Sequence, residues 1–408
     1  MSSVIEKFLR YVQVHTTSES DQEQVPSTER QKDLGRMLVE ELKAMGAADP
    51  HMDDHGYVYA YIPSTMEEDG GPVIGFISHM DTSEAASGEN VKARIVKDYD
   101  GKPILLNPEL GIVSDPKIYP ELLEYIGQDL IVTDGTTLLG ADDKAGIAEI
   151  MAMAEFFLAN PQIAHRRIPI AFTPDEEVGH GVDFFDLKTF DANYAYTVDG
   201  GAAGEIEYEN FNAANANIKI YGTSVHPGSA KGKMKHAALI AMEFQGLLPK
   251  FEDPAATEGR EGFYHMTSIS GNCEEASMSY IIRDHDMAKF EAKKAMFGVC
   301  ADFINKKYGE GTIEVVLKDN YYNMIEQIKP HWHLIENAEN AIKACGLKPI
   351  SMPVRGGTDG SRLSYEGLPC PNLGVGGHNC HGRYEFACVQ SMEKCVDILI
   401  KIVELYSK

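Results

Sequence analysis

Short, unbroken apolar runs of strand type recur along this chain at Tyr57 to Ile62, Val73 to Ile77, Leu130 to Thr133, Ile168 to Thr173 and Tyr194 to Val198. A strand that is apolar on every side chain has no face to give to water, so both of its faces must be covered. Between the third and fourth runs, Ile147, Ile150, Met151 and Ala154 recur at helical spacing and predict a helix from about Asp143 to Leu158. Such alternation predicts an α/β domain with a mixed central sheet and helices on both faces. Two helices precede it. One carries Val4, Ile5, Phe8, Leu9 and Val12 on a stripe, and the other comes after Pro26, with Thr28 and Gln31 at capping-box spacing.

After Gly204 the pattern changes. Residues 213 to 221 alternate (Ala214, Ala216, Ile218, Ile220), and the next elements in order are helix, strand, strand, helix, strand. This predicts a smaller two-layer α+β domain inserted at 209–320. The first part of the α/β domain is then 1–208, and its second part, 321–408, ends in a helix bearing Val389, Met392, Val396, Leu399 and Val403.

The residues at the ends of the apolar runs carry the chemistry. His79 and Asp81 stand at the end of the run from Val73, and Asp199 ends the run from Tyr194. Glu176 and Glu177 come just after the run that closes on Thr173. Asp142 and Asp143 lie between Gly140 and a helix start, and His381 lies in the glycine-rich His378-Asn379-Cys380-His381-Gly382. Open α/β sheets place their sites at strand C-terminal ends. His79 and Asp81, two apart on a strand, face one way, so the Asp81 carboxylate is expected to take the spare N–H of His79. Of Asp142 and Asp143, one is expected to cap the helix while the other bridges two metals; of Glu176 and Glu177, one is a ligand and the other a general base. Imidazoles and carboxylates without a thiolate suit two divalent ions of the zinc, cobalt or manganese kind, sharing one water. The chain reads as a hydrolase.

Composition narrows the class. A net charge of −25 argues against a nucleic-acid partner. Seven cysteines with no CxxC pair suit reduced thiols and a cytoplasmic location. Glu6, Lys7 and Arg10 interrupt the N-terminus early, and no apolar run approaches the roughly 20 residues of a membrane span, so neither a signal peptide nor a membrane partner is expected.

These residues resemble the co-catalytic zinc exopeptidase and deacylase family that includes carboxypeptidase G, aminoacylase and peptidase T, over nearly the whole length. The similarity is strongest to its tripeptide-aminopeptidase branch, through Asp129-Leu130-Ile131-Val132-Thr133-Asp134-Gly135, Val354-Arg355-Gly356-Gly357-Thr358-Asp359-Gly360 and the segment around His381. The resemblance implies two zinc ions, with cobalt or manganese as substitutes: one held by His79 and Asp199, the other by Glu177 and His381, with Asp142 bridging. It makes Asp81 the residue that orients His79 and Glu176 the general base, and it makes the Asp142–Asp143 peptide bond cis. It implies removal of the N-terminal residue from short peptides, tripeptides in particular; the alternative within the family is a deacylase or dipeptidase acting on a blocked amino group. The inserted domain resembles the family's lid, which also mediates dimerisation, and His226 matches a lid histidine near the substrate carbonyl, although a plain turn before Pro227 explains it equally well. Arg283 and Arg355 are candidates for the substrate carboxylate, with Asn320 and Tyr321 assisting. His331 and His333, two apart on an expected helix, should point away from each other.

Overall fold

The computed structural model describes residues 3–67 and 70–408, which divide into two compact units. The first holds 3–208, 326–352 and 358–408, and the second holds 209–325 with 353–357.

The first unit is built on an eight-stranded mixed sheet. Its middle strands, Ile168–Thr173, Ile74–His79, Tyr194–Gly200 and Asn372–Gly374, run parallel and in that spatial order. Every residue of Ile74–His79 is buried, as the unbroken run requires. One face of the sheet presents Ile77, Ala171 and Ala195 to a cluster with Tyr57, Tyr59, Phe185, Phe190 and Leu363. The other is covered by the helix Ala141–Ala159, itself packed under Val4–Tyr11 and Val389–Tyr406 and therefore apolar nearly all round. The fold class is the one expected.

The helix sits hard against the strand that ends in Asp199. A Cβ on Gly146 would stand 1.9 Å from the Val198 carbonyl oxygen, a backbone atom that cannot swing aside. Gly146→Ala is therefore expected to cost about 1–3 kcal/mol, the usual range for overpacking, measured by chemical denaturation. An unchanged midpoint would show that helix and strand separate easily.

Three expectations need correcting. Leu130–Val132 does not join the central sheet; it belongs to a four-stranded antiparallel sheet with Arg94–Val96, Phe386–Cys388 and Gly377–His378. It packs there with Ile104, Leu122, Tyr125 and Phe386, a core of its own that an apolar run of three cannot announce. The Thr28–Gln31 capping box is absent: the helix begins at Gln31 with no side-chain cap. Thr28 instead donates its hydroxyl to the Thr17 carbonyl, and Gln31 is drawn inward. Nor do His331 and His333 point apart. A 3-10 turn ends at His331 before the helix starts at His333, and both rings pack on Tyr194 with centroids 6.3 Å from each other.

The second unit is a four-stranded antiparallel sheet in the order Phe263–Gly271, Glu275–Asp284, Asn212–Tyr221, Ile313–Tyr321. Ala214, Ala216, Ile218 and Ile220 face inward in alternation, against Ile240 and Phe244 of one helix and Phe290, Phe297 and Ile304 of the other. Among the described residues, no helix is long and apolar enough to cross a membrane.

Candidate metal centre

Three of the parallel strands deliver His79, the turn after Thr173 and Asp199 to one end of the sheet. The small antiparallel sheet supplies the rest: the segment after Leu130–Val132 leads to Asp142, and the hairpin between Gly377–His378 and Phe386–Cys388 carries His381.

These side chains form a continuous series with Asp142 at its centre. One Asp142 oxygen lies 2.9 Å from His79 Nε2, and the other lies 2.9 Å from His381 Nε2. His79 Nε2 is also 3.4 Å from Asp199, and His381 Nε2 is 2.9 Å from Glu177. Each half thus offers an imidazole nitrogen and a carboxylate, with one further carboxylate between them. The second oxygen of Glu177, Oε1, is buried with no hydrogen-bond partner among the described residues.

The neighbours fix these groups from behind. His79 Nδ1 lies 3.0 Å from the Asp81 backbone carbonyl and 3.3 Å from its carboxylate, so Nε2 is the atom turned to the cluster. Besides meeting His79 Nδ1, the Asp81 carboxylate accepts the backbone N–H groups of Glu176 (3.0 Å) and Glu177 (3.2 Å). One side chain therefore ties the His79 strand to the turn bearing both glutamates. The Asp142–Asp143 peptide bond is cis. Asp143 lies close enough to His79 and Asp199 to form a ligand set with them. Its carboxylate is already occupied, however, by the Ser78 hydroxyl, the His79 backbone N–H and the Gly146 N–H. Asp143 caps the helix and Asp142 faces the cluster.

Sequence reasoning missed Asp175, which precedes the two glutamates with a positive φ of 56°. Its buried carboxylate accepts from Ser27 N–H, Ser27 Oγ and Gln31 Nε2, and this is what pulls Gln31 out of a capping role. Those partners lie 144 to 148 residues away, so no local pattern reveals them.

So many acids in one place shift several of the groups. Burial raises the Glu176 carboxyl well above its usual value, and Asp199 adds to the effect. Burial also raises Asp199, partly offset by His79. The contacts with Asp142 and Glu177 lift His381 to about 11 despite its burial. His79 is raised well above its ordinary value because Asp199 and Asp142 overcome its burial. The cluster therefore draws positive charge onto its own imidazoles, which is the demand that divalent cations meet on displacing those protons. The donor set fits a pair of such ions, the bare Glu177 oxygen included.

The four substrate candidates lie in the second unit. The Arg355 guanidinium donates to the carbonyls of Gly259, Glu261 and Thr257 and to the Thr257 hydroxyl, and it stacks on Phe211 and Phe263. Arg283 bonds the carbonyls of Ala214 and Ile282 and lies over Tyr321; Asp284 faces Lys293 instead, and Asp286 caps a helix. The Nδ1 atom of His226 accepts the Gly228 N–H, as its turn reading requires, and Asn320 is exposed on its strand.

Residues 208–312 match the family model for a peptidase dimerisation domain. Peptidase T of Alkaliphilus oremlandii is 52% identical, with 100% of each chain covered. Among solved structures, aminopeptidase PepT from Bacillus cereus superposes with a TM-score of 0.78 at 24% identity, covering 99% of this chain and 98% of that one. A tripeptidase from Staphylococcus aureus gives 0.77 at 21% identity, with the same coverage. The two structures share this fold.

Proposed function

The chain belongs to the peptidase T family, and on that premise we propose that it is a metal-dependent aminopeptidase that releases the N-terminal residue of tripeptides. The observation that carries the reading is Asp142, with one oxygen on each of two imidazoles that have their own carboxylate partners. In this reading His79 and Asp199 would hold one divalent ion, Glu177 and His381 would hold the other, and Asp142 would serve both, zinc being the first choice and cobalt or manganese substitutes. Bound there, the ions would acidify water and polarise the scissile carbonyl. The protein's own part is proton handling. Glu176, anchored through its backbone to Asp81, removes a proton from the attacking water and later returns it to the leaving amine. Its raised affinity for protons suits both steps.

For the tripeptide carboxylate the proposal falls on Arg283, which is surrounded by carbonyls and an aromatic ring, with no acid among the groups that shift it. Arg283→Ala is expected to raise KM for tripeptides about tenfold, the loss of one charge-assisted contact, with kcat little changed. An unchanged KM removes Arg283 from the role. His226 and Asn320 stay as secondary candidates for contacts with the substrate. A homodimer through the second unit, a cytoplasmic location and a part in peptide catabolism complete the proposal, supported by the match over 208–312 and by seven unpaired cysteines.

Release of the first residue from a plain tripeptide and from its N-acetylated twin tests the function. Cleavage of the free peptide alone is expected. Cleavage of the acetylated form would move the chain to the deacylases of the same fold.

A further inference from the structure

Outside the ligand set one carboxylate stands in an unusual position. Glu385 is 2% exposed and belongs to the hairpin that carries His381, four residues earlier. Its Oε2 accepts the backbone N–H groups of Leu139 (2.6 Å) and Gly140 (2.8 Å), and its Oε1 accepts that of Asp142 (3.1 Å). Three main-chain donors from one short loop, 243 to 246 residues away, thus converge on a single side chain. The adjoining strands are in register, Phe386 opposite Val132, which carries Glu385 to that loop.

Two loops meet at the centre of the cluster, one bearing Asp142 and the other His381, and their side chains touch at 2.9 Å. Their backbones are joined by Glu385. The loop it grips has no regular structure to hold it: Gly140 is left-handed at φ 80°, and Asp142 and Asp143 are not helical. Charge-assisted bonds to backbone N–H are among the stronger ones a carboxylate makes, and three of them over-determine a short loop.

We propose that Glu385 is a positioning residue that sets the span between Asp142 and His381, and so the fit of the cation those two hold with Glu177. It touches neither substrate nor ion. The inference rests on the two-cation reading above. It predicts that Glu385 governs metal affinity and leaves substrate binding alone, since the groups it orients are ligands.

The test is a metal-binding titration of the full chain after chelator treatment, using zinc against a chromophoric competitor. It is run for wild type, Glu385→Gln and Glu385→Asp, alongside the melting temperature of each metal-free protein. Gln offers the loop an amide in place of one acceptor, and Asp keeps the charge but withdraws it by a methylene. Both variants are expected to bind the ion held by Asp142, Glu177 and His381 about 10- to 100-fold less tightly, the usual cost of losing an outer partner. Excess zinc should restore kcat with KM for the tripeptide unchanged. If the Gln protein fails to fold, the Asp variant alone decides. Wild-type affinity in a folded variant overturns the inference, as does an affinity loss matched by a collapse of the metal-free melting temperature in both. A wild-type chain that takes up no second ion overturns the reading beneath it instead.

Discussion

Glu176→Ala is expected to lower kcat on a tripeptide by about 10²- to 10⁴-fold, the range for removing a general base, while metal content stays at the wild-type level. The two halves of that statement separate because backbone and side chain of Glu176 do different things. The backbone N–H is held by Asp81, so truncation leaves the turn in place and Glu177 beside it. The side chain is absent from the series that runs from Asp199 through Asp142 to Glu177. What is lost is a carboxyl kept protonatable by burial and by Asp199. Turnover within a few-fold of wild type, with metal retained, would give the proton to another group.

Metal withdrawal should act on both activity and stability. Chelation is expected to bring tripeptide cleavage to background, and zinc, cobalt or manganese should restore it. A ligand that binds only the folded state at a thousand times its Kd stabilises by about 4 kcal/mol, so the loaded protein should melt higher. The gap should widen with pH. Burial lifts Asp359 to about 7 and Glu207 to about 8, from ordinary values of 3.8 and 4.5. Between those limits the folded chain keeps protons that the unfolded chain has released. Folding stability of the metal-free protein therefore falls as pH rises from about 4 to about 8. Nearby cations oppose this, because they favour the ionised carboxylates. Melting curves with and without chelator at pH 5.5 and pH 8 check it, and an equal gap at the two values would mean that these acids do not feel the ions.

How far the sequence could be read depends on the range of the interactions. The buried strands and the residues at their ends are local patterns, since a run of apolar side chains and the acid after it need no distant information. The structure gathers His79, Glu177 and Asp199, which stand at or just after strand ends, at one place with Asp142 from a helix start and His381 from a glycine-rich hairpin. What could not be read depends on partners far away. Thr28 and Gln31 have the spacing of a cap, but Asp175, over 140 residues on, claims Gln31. Leu130–Val132 looks like the other apolar runs, and only Phe386 and its neighbours assign it to a separate sheet. Each error came from judging a side chain before its competitors were known.

The two-sheet origin of the site also bears on when the protein becomes an enzyme during synthesis. His79, Asp142, Glu177 and Asp199 emerge from the ribosome well before His381. The strands that bring it home, Phe386–Cys388 on Leu130–Val132, close a contact across more than 250 residues. Contacts of that separation form late because their loop-closure entropy must be met first. A nascent chain therefore lacks one ligand of the second ion until that late contact closes, and capture of that ion follows the folding of Phe386–Cys388 onto Leu130–Val132.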